Sequence, residues 1–288
     1  MAPEVIVARP FIKTAAIILR LGAGLSVLLL CACTVDSAKR HYVLAEKLWT
    51  DGRYAGAVGE FDKVAARDPR GKLGTQALLR GATTQALFLS QYPEAIDKLK
   101  RFTELSQDSA AVWEARKQIG DLLFNKTEQY DQAFRYYQDL LQLNPQVVEA
   151  PEFLFRIARS QFFQGHFDLA LGAYQQIIKQ HPKSEQAERA SFEIAQTRLA
   201  QGEQSGAARA AADLLKSAMA SYEEFLKEYP KSQHVAEAQF GIASCLEAMD
   251  QLDAAYQGYS ALRDTYPSRN VIEIKLERIR ERKAQRSR

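Results

Sequence analysis

The chain has 288 residues, 47% of them hydrophobic and 10% aromatic, with 38 Lys and Arg against 35 Asp and Glu. That composition suits a folded body with a sizeable core and excludes a disordered chain. The near balance of charge excludes the basic footprint that nucleic-acid binding requires.

Arg9, Lys13 and Arg20 open the chain with positive charge, and Leu21 to Leu30 follows as an uncharged apolar run. A run of about 7–15 apolar residues has the length of a secretory h-region and falls short of the ~20 that a spanning helix needs. Extending the segment back to Phe11 would bury Arg20 in the bilayer, at about 2.5–3.5 kcal/mol. Two cysteines compete for the end of the leader. Cys31 would follow Leu30, whereas Cys33 follows Ala32, the small residue that signal peptidases prefer. The pattern Leu30-Cys31-Ala32-Cys33 therefore resembles a lipoprotein precursor with a leader over 1–32. Cys33 is the expected lipidated first residue, joined to the body by a short linker over 33–37. Thr34 stands where Asp would resemble an inner-membrane retention signal, and the absence of Asp leans the expected destination toward the periplasmic face of the outer membrane. With the leader removed the net charge is +1. The body keeps one thiol, Cys245, which reads as a small buried apolar side chain or, less simply, as a partner for an intermolecular disulfide.

From Ala38 onward a pattern recurs: a small residue in one amphipathic stretch, a turn, Ala and then a large apolar residue in a second stretch, and a closing Pro. Ala38–Gly71 gives Ala45, Gly52, Ala57, Phe61 and Pro69, and Gln76–Ser109 gives Ala95, Leu99 and Phe102 without the Pro. Glu114–Val147 gives Ala133, Tyr137 and Pro145; Pro151–Ser184 gives Ala158, Gly165, Ala170, Tyr174 and Pro182. The fifth unit is interrupted over roughly 203–213 before Ala218, Tyr222 and Pro230, which reads as a second helix that begins early. Ala236–Arg269 closes the series with Ala243, Ala255, Tyr259 and Pro267. The period of about 34 residues resembles the tetratricopeptide repeat, in which paired helices pack through alanines and an aromatic fills the space between units. The expected fold is all-α: a solenoid of six helical pairs, three over 38–147 and three over 148–269.

A capping helix is expected from Asn270 to about Lys283, with Val271, Ile272, Ile274 and Ile279 facing the sixth unit. The tail over 270–288 exposes Arg278, Arg280, Arg282, Lys283, Arg286 and Arg288. These read as a solvated helix end favoured by the helix dipole, or as a contact for an acidic partner or anionic lipid.

The linkers Pro182-Lys183-Ser184 and Pro230-Lys231-Ser232 each lead into Ala-x-Phe-x-Ile-Ala, as Ala190 to Ala195 and Ala238 to Ala243. Ser184 and Ser232 suit N-caps of the helices that follow. Phe225-Leu226, Tyr229-Pro230 and Tyr266-Pro267-Ser268 complete a style that resembles the periplasmic lipoproteins of the BamD (YfiO) family, with the Tol–Pal-associated YbgF/CpoB group next. The resemblance implies a lipid-anchored accessory of outer-membrane β-barrel protein assembly, docked on a BamA-like barrel protein with periplasmic modules. The alternatives are a Tol–Pal scaffold, a pilotin or motility-complex scaffold, and an activator of a peptidoglycan enzyme.

Chemistry needs converging groups, and none converge. His41, His166, His181 and His234 are scattered without metal-ligand spacing, there is no phosphate-binding glycine loop, and Glu223 and Glu224 sit where a helix meets water. No catalytic residue, metal, cofactor or small-molecule substrate is expected. Binding is expected instead on the outward positions of each unit's first helix: Lys39, Tyr42 and Glu46 in the first unit, and Glu152, Phe155 and Arg159 in the fourth. Tyr42 and Phe155 read equally as exposed anchors or as packing side chains. An extended groove of this kind suits a tail or helix of another protein.

Overall fold

The computed structural model describes residues 37–286, and all regular structure among them is helical. The leader, Cys31, Cys33 and Arg288 lie outside the described residues. Helix α1 covers 37–50. It is followed by α2 (Tyr54–Arg67), α3 (Lys72–Phe88), α4 (Tyr92–Leu105), α5 (Ser109–Asn125), α6 (Tyr130–Leu143) and α7 (Ala150–Phe163). Then come α8 (Phe167–Gln180), α9 (Glu185–Gln204), α10 (Ala208–Glu228), α11 (Val235–Ala248), α12 (Leu252–Ala261) and α13 (Arg269–Arg286). Two compact units divide after Thr127, the first ending with α5 and the second beginning with α6.

Small residues and aromatics set the packing within each unit. Ala45, Ala57, Ala95, Ala133, Ala158, Ala170, Ala195, Ala218 and Ala255 are completely buried, since a methyl group is all that fits where paired helices approach. One turn beyond each second-helix alanine stands the large residue: Phe61, Leu99, Tyr137, Tyr174, Tyr222 and Tyr259, all buried. The hairpin turns share one backbone device. Gly52, Ser90, Glu128, Gly165 and Asp250 all have positive φ, each two residues before its second helix begins. Three of the five are not glycine, at a cost of about 1–2 kcal/mol apiece for the left-handed backbone.

In the fifth pair α10 starts ten residues ahead of Ala218, whereas α2 and α8 start three ahead of Ala57 and Ala170. The interruption is thus two added turns on α10, after a loop of three residues at 205–207. Gly202 lies where the added turns meet the common part of α10, and a Cβ there would sit 3.0 Å from the Leu215 side chain.

Two local expectations are corrected. On α13 it is Ile272, Leu276 and Ile279 that are buried against the sixth pair, while Val271 and Ile274 are exposed. The buried three recur at four and three residues, one helical stripe, from which Val271 and Ile274 are rotated by about 100–200°. Ser184 does cap α9, accepting from the Ala187 N–H at 3.1 Å. Ser232, however, accepts from the His234 N–H at 3.1 Å, and α11 starts one residue later with no side-chain cap. The spacing from each Ser to Ala190 or Ala238 is the same, but α9 begins one residue after Ser184 and α11 three after Ser232, which leaves the Ser232 hydroxyl a turn-former. Cys245 is completely buried, and desolvation pushes its thiol up to about 12.

The basic row of α13 is docked on carboxylates. Glu247, almost fully buried, meets Lys275 at 2.9 Å and Arg278 at 3.1 Å and accepts from the Tyr259 hydroxyl at 2.9 Å. Asp250 takes Arg282 at 2.8 Å and also Arg286, while Lys283 pairs with Asp253. Arg280 reaches Glu277 at 3.0 Å and the Tyr256 hydroxyl at 2.9 Å.

Candidate protein-binding surface

The first helices of successive pairs touch one another within each unit. In the second unit α9 lies against both α7 and α11. In the first unit α1 reaches α3 through Glu46, which accepts from Arg80 Nε at 2.9 Å and from a terminal nitrogen at 2.7 Å. This two-point geometry matches the planar fork of guanidinium to a carboxylate. The same guanidinium lies 4.7 Å from the Trp49 ring centroid.

The expected binding positions separate into two classes. Lys39 is exposed. Tyr42 is half-buried and packs edge-on against Phe61 at 5.6 Å. Burial, with the Glu46 carboxylate beside it, raises its phenol above the ordinary value. Glu46 is committed to Arg80. In the second unit Glu152 pairs with Arg156 at 2.8 Å, lies 3.8 Å from Arg189 and accepts from Gln186 at 3.2 Å. Arg159 donates to Glu193 at 2.7 Å and lies 4.9 Å from the Phe163 centroid. Phe155 is 1% exposed, so it is a packing residue: Tyr174 meets it edge-on and Arg189 covers its ring at 4.2 Å. What faces outward there is the arginine above it.

Sequence reasoning did not single out Arg80, Arg156, Arg189 or Glu193, which complete this surface. For Arg80 and Glu193 the signal is a 34-residue offset between opposite charges on neighbouring first helices; Arg156 pairs with Glu152 four residues away in its own helix, and Arg189 stands 37 residues from Glu152. Also missed are apolar side chains at the hairpin ends. Phe88 stacks on Tyr54 at 4.2 Å yet is 44% exposed, and Leu87 beside it is 72% exposed. Phe163 stacks on Tyr130 at 4.5 Å and is 42% exposed. Leu87 also edges a hollow of about 290 Å³ between α3 and α5, walled by Thr83, Ala86, Gln118 and Leu122 over Leu99. Small residues on α3 leave that channel open, where the corresponding stretch of α7 carries Arg159 and Phe162.

In each unit the first helices offer arginines held by partly buried carboxylates, with aromatic side chains at the hairpin ends. Polypeptides are recognised by such mixtures, through apolar anchors and charge-assisted hydrogen bonds. The histidines stay apart: His41 contacts Glu60 at 2.6 Å, His166 contacts Gln161 at 2.9 Å, and His234 stacks on Phe192. Among the described residues no group of three or more His, Cys, Asp or Glu could hold a metal ion, and no helix is long and apolar enough to cross a membrane.

Residues 152–184 and 237–268 match the family model of the tetratricopeptide repeat. No curated protein shows a significant match to the chain. Among solved structures, the chain is similar to PilW, described as a widely conserved type IV pilus biogenesis factor. The TM-score is 0.50 at 17% identity, over 84% of this chain and 98% of PilW. It is also similar to the C-terminal part of a repeat-containing protein of Cytophaga hutchinsonii. There the TM-score is 0.52 at 17% identity, over 77% and 78% of the two chains. These likenesses concern the fold. The helical pairs, the shared turn geometry and the two repeat matches make this an all-α protein of the tetratricopeptide-repeat solenoid class.

Proposed function

We propose that the chain is a lipid-anchored scaffold of the bacterial outer membrane, facing the periplasm, that holds other envelope proteins in place through its repeats. In this reading the leader over 1–32 is removed and Cys33 carries the acyl chains. The linker over 33–37 joins them to repeats over 38–147 and 148–269, and 270–288 caps the stack. The observation that carries the scaffold reading is the row of Glu152, Arg156, Arg159, Arg189 and Glu193 on adjacent first helices. It gives a partner fixed charges with little ordering to do on binding. The Phe-Leu-x-x-Tyr-Pro-x-Ser style of the later linkers favours barrel-protein assembly, with a BamA-like barrel protein as partner.

A second reading is a scaffold for pilus assembly. The likeness to PilW over 98% of that chain raises it. Affinity capture of the anchored protein from solubilised outer membrane separates the two. A barrel protein with periplasmic modules supports the first reading, and a secretin or other pilus component supports the second. Recovery of Pal or TolA overturns both. Cys33→Ser should abolish palmitate incorporation, and continued labelling would refute that anchor.

A further inference from the structure

Helix α1 divides cleanly around its circumference. With about 100° per residue, Ala38, His41, Tyr42, Ala45, Glu46, Leu48 and Trp49 occupy one half. Every one of them is buried or half-buried. His41 reaches α2 through Glu60, Tyr42 packs on Phe61, and Glu46 holds Arg80 of α3. The opposite arc, about 140° wide, carries Lys39, Arg40, Val43, Leu44, Lys47 and Thr50. All six are exposed, Val43 at 69% and Leu44 at 43%. No acidic residue of the helix falls within that arc. Two aliphatic side chains flanked by lysines on the first helix of a stack are more than a solubilising cap requires, since such a cap carries a polar outer face.

We propose that this face of α1 rests on an anionic phospholipid surface, with Val43 and Leu44 entering the headgroup boundary and Lys39 and Lys47 reaching lipid phosphates. The inference rests on the lipid anchor at Cys33 proposed above. Ser37, the first described residue of α1, stands four positions from Cys33, a reach of at most about 14 Å. The near end of the helix therefore stays within about 14 Å of the bilayer, and Val43, about 9 Å further along, within about 23 Å. The chemistry then matches: aliphatic side chains favour the interface, while lysines place their stems along it and their ammonium groups among phosphates. A protein partner would need to fit under the body within that gap.

The test uses the full chain, produced with its acyl groups and reconstituted into vesicles of phosphatidylethanolamine and phosphatidylglycerol. A nitroxide is attached at Val43→Cys or, as a reference in the second unit, at Leu169→Cys, where the native side chain is 62% exposed. Collision rates with oxygen and with a water-soluble nickel chelate report the surroundings. The label at 43 is expected to favour oxygen severalfold over the label at 169. Lys39→Glu with Lys47→Glu, which alter only exposed side chains, should reduce that preference severalfold while circular dichroism stays unchanged. A water-like signal at 43 in protein that carries palmitate overturns the proposal and leaves the anchor standing. A lipid-like signal at 43 in protein without palmitate sustains it and removes the anchor. Shielding at 43 in whole envelopes but not in vesicles assigns the face to a protein and overturns the lipid assignment.

Discussion

Arg159 and Glu193 lie 34 residues apart and meet at 2.7 Å across the first helices of neighbouring pairs. Glu46 and Arg80 repeat the relationship in the first unit with the charges exchanged, at the same separation of 34. Glu152 and Gln186 share that spacing too. Structurally equivalent alanines such as Ala158 and Ala195 are 37 apart, so each bridge joins residues one helical turn out of step. That offset is an axial stagger of about 4.5 Å between neighbouring first helices. The bridges therefore report, and help to hold, the register of the stack.

The Glu193 side chain is 11% exposed and that of Arg159 is 31% exposed. The pair falls between a surface bridge worth under about 1 kcal/mol and a buried one whose disruption costs about 3–5. Glu193→Ala is expected to cost about 1–2 kcal/mol, and the double-mutant cycle with Arg159→Ala to show a coupling of about 1 kcal/mol. Urea unfolding midpoints at constant slope measure both. Strict additivity would show that the contact does not fix the register.

Tyr174 and Tyr259 occupy equivalent places in their repeats, and both are completely buried. Their hydroxyls differ. Tyr259 donates to Glu247 at 2.9 Å and contacts the Ser244 hydroxyl at 2.9 Å. The Tyr174 hydroxyl has no hydrogen-bond partner among the described residues. Tyr259→Phe removes one donor from a buried carboxylate that Lys275 and Arg278 still hold, and takes away the Ser244 hydroxyl's partner, so it should cost about 1–3 kcal/mol. Tyr174→Phe removes an unsatisfied group and should be neutral within about 0.5 kcal/mol, or stabilising. Thermal unfolding of the two variants under one buffer gives the comparison. Equal losses would contradict this account.

Glu247 links the cap to the stack, and its charge state sets a pH dependence. Burial alone would raise its carboxyl, but Lys275, the Tyr259 hydroxyl and Arg278 together hold it below its ordinary value of 4.5. A carboxylate with a lowered folded value contributes stability that is complete above the unfolded value and lost as pH falls through the folded one. Glu247→Gln should therefore destabilise the protein at pH 7. The gap from the parent should close as pH falls from about 5 toward 3. A gap that widens on acidification would reverse the sign and refute the bridge.

Much of this architecture was legible because repeats oversample their own signal. Alanine and aromatic positions recurred in phase, and each landed in the core. The turn position was visible where glycine filled it, at Gly52 and Gly165. Ser90 and Glu128 adopt the same left-handed backbone with no such cue, because the neighbouring helices impose it. The depth of the expected first-helix positions was not legible. Spacing placed Phe155 on the first helix, yet one residue's depth depends on the next repeat, whose Arg189 covers it. Val271 and Ile274 show the same limit at the other end. An apolar residue beside a core stripe is indistinguishable from one within it until the crossing of α13 on its neighbours is known.

Two glycines in helix interiors separate backbone propensity from packing. Alanine is favoured over glycine by about 1 kcal/mol within a helix, because glycine loses more backbone freedom on folding. At Gly172 in α8 a Cβ would meet nothing within 4 Å, so Gly172→Ala should realise most of that gain, about 0.5–1 kcal/mol. At Gly241 in α11 a Cβ would lie 2.3 Å from Cζ of Tyr222 and 2.5 Å from Cε2. Tyr222 is 1% exposed and fills the space between the fifth and sixth pairs, so its ring has nowhere to retreat. Overpacking of this kind costs about 1–3 kcal/mol and exceeds the propensity gain. Gly241→Ala should lower stability, and adding Tyr222→Leu should recover part of the loss by vacating the contested volume. Denaturant unfolding of the three variants distinguishes the terms. Stabilisation by Gly241→Ala would mean that α10 and α11 are not as closely apposed as Tyr222 requires.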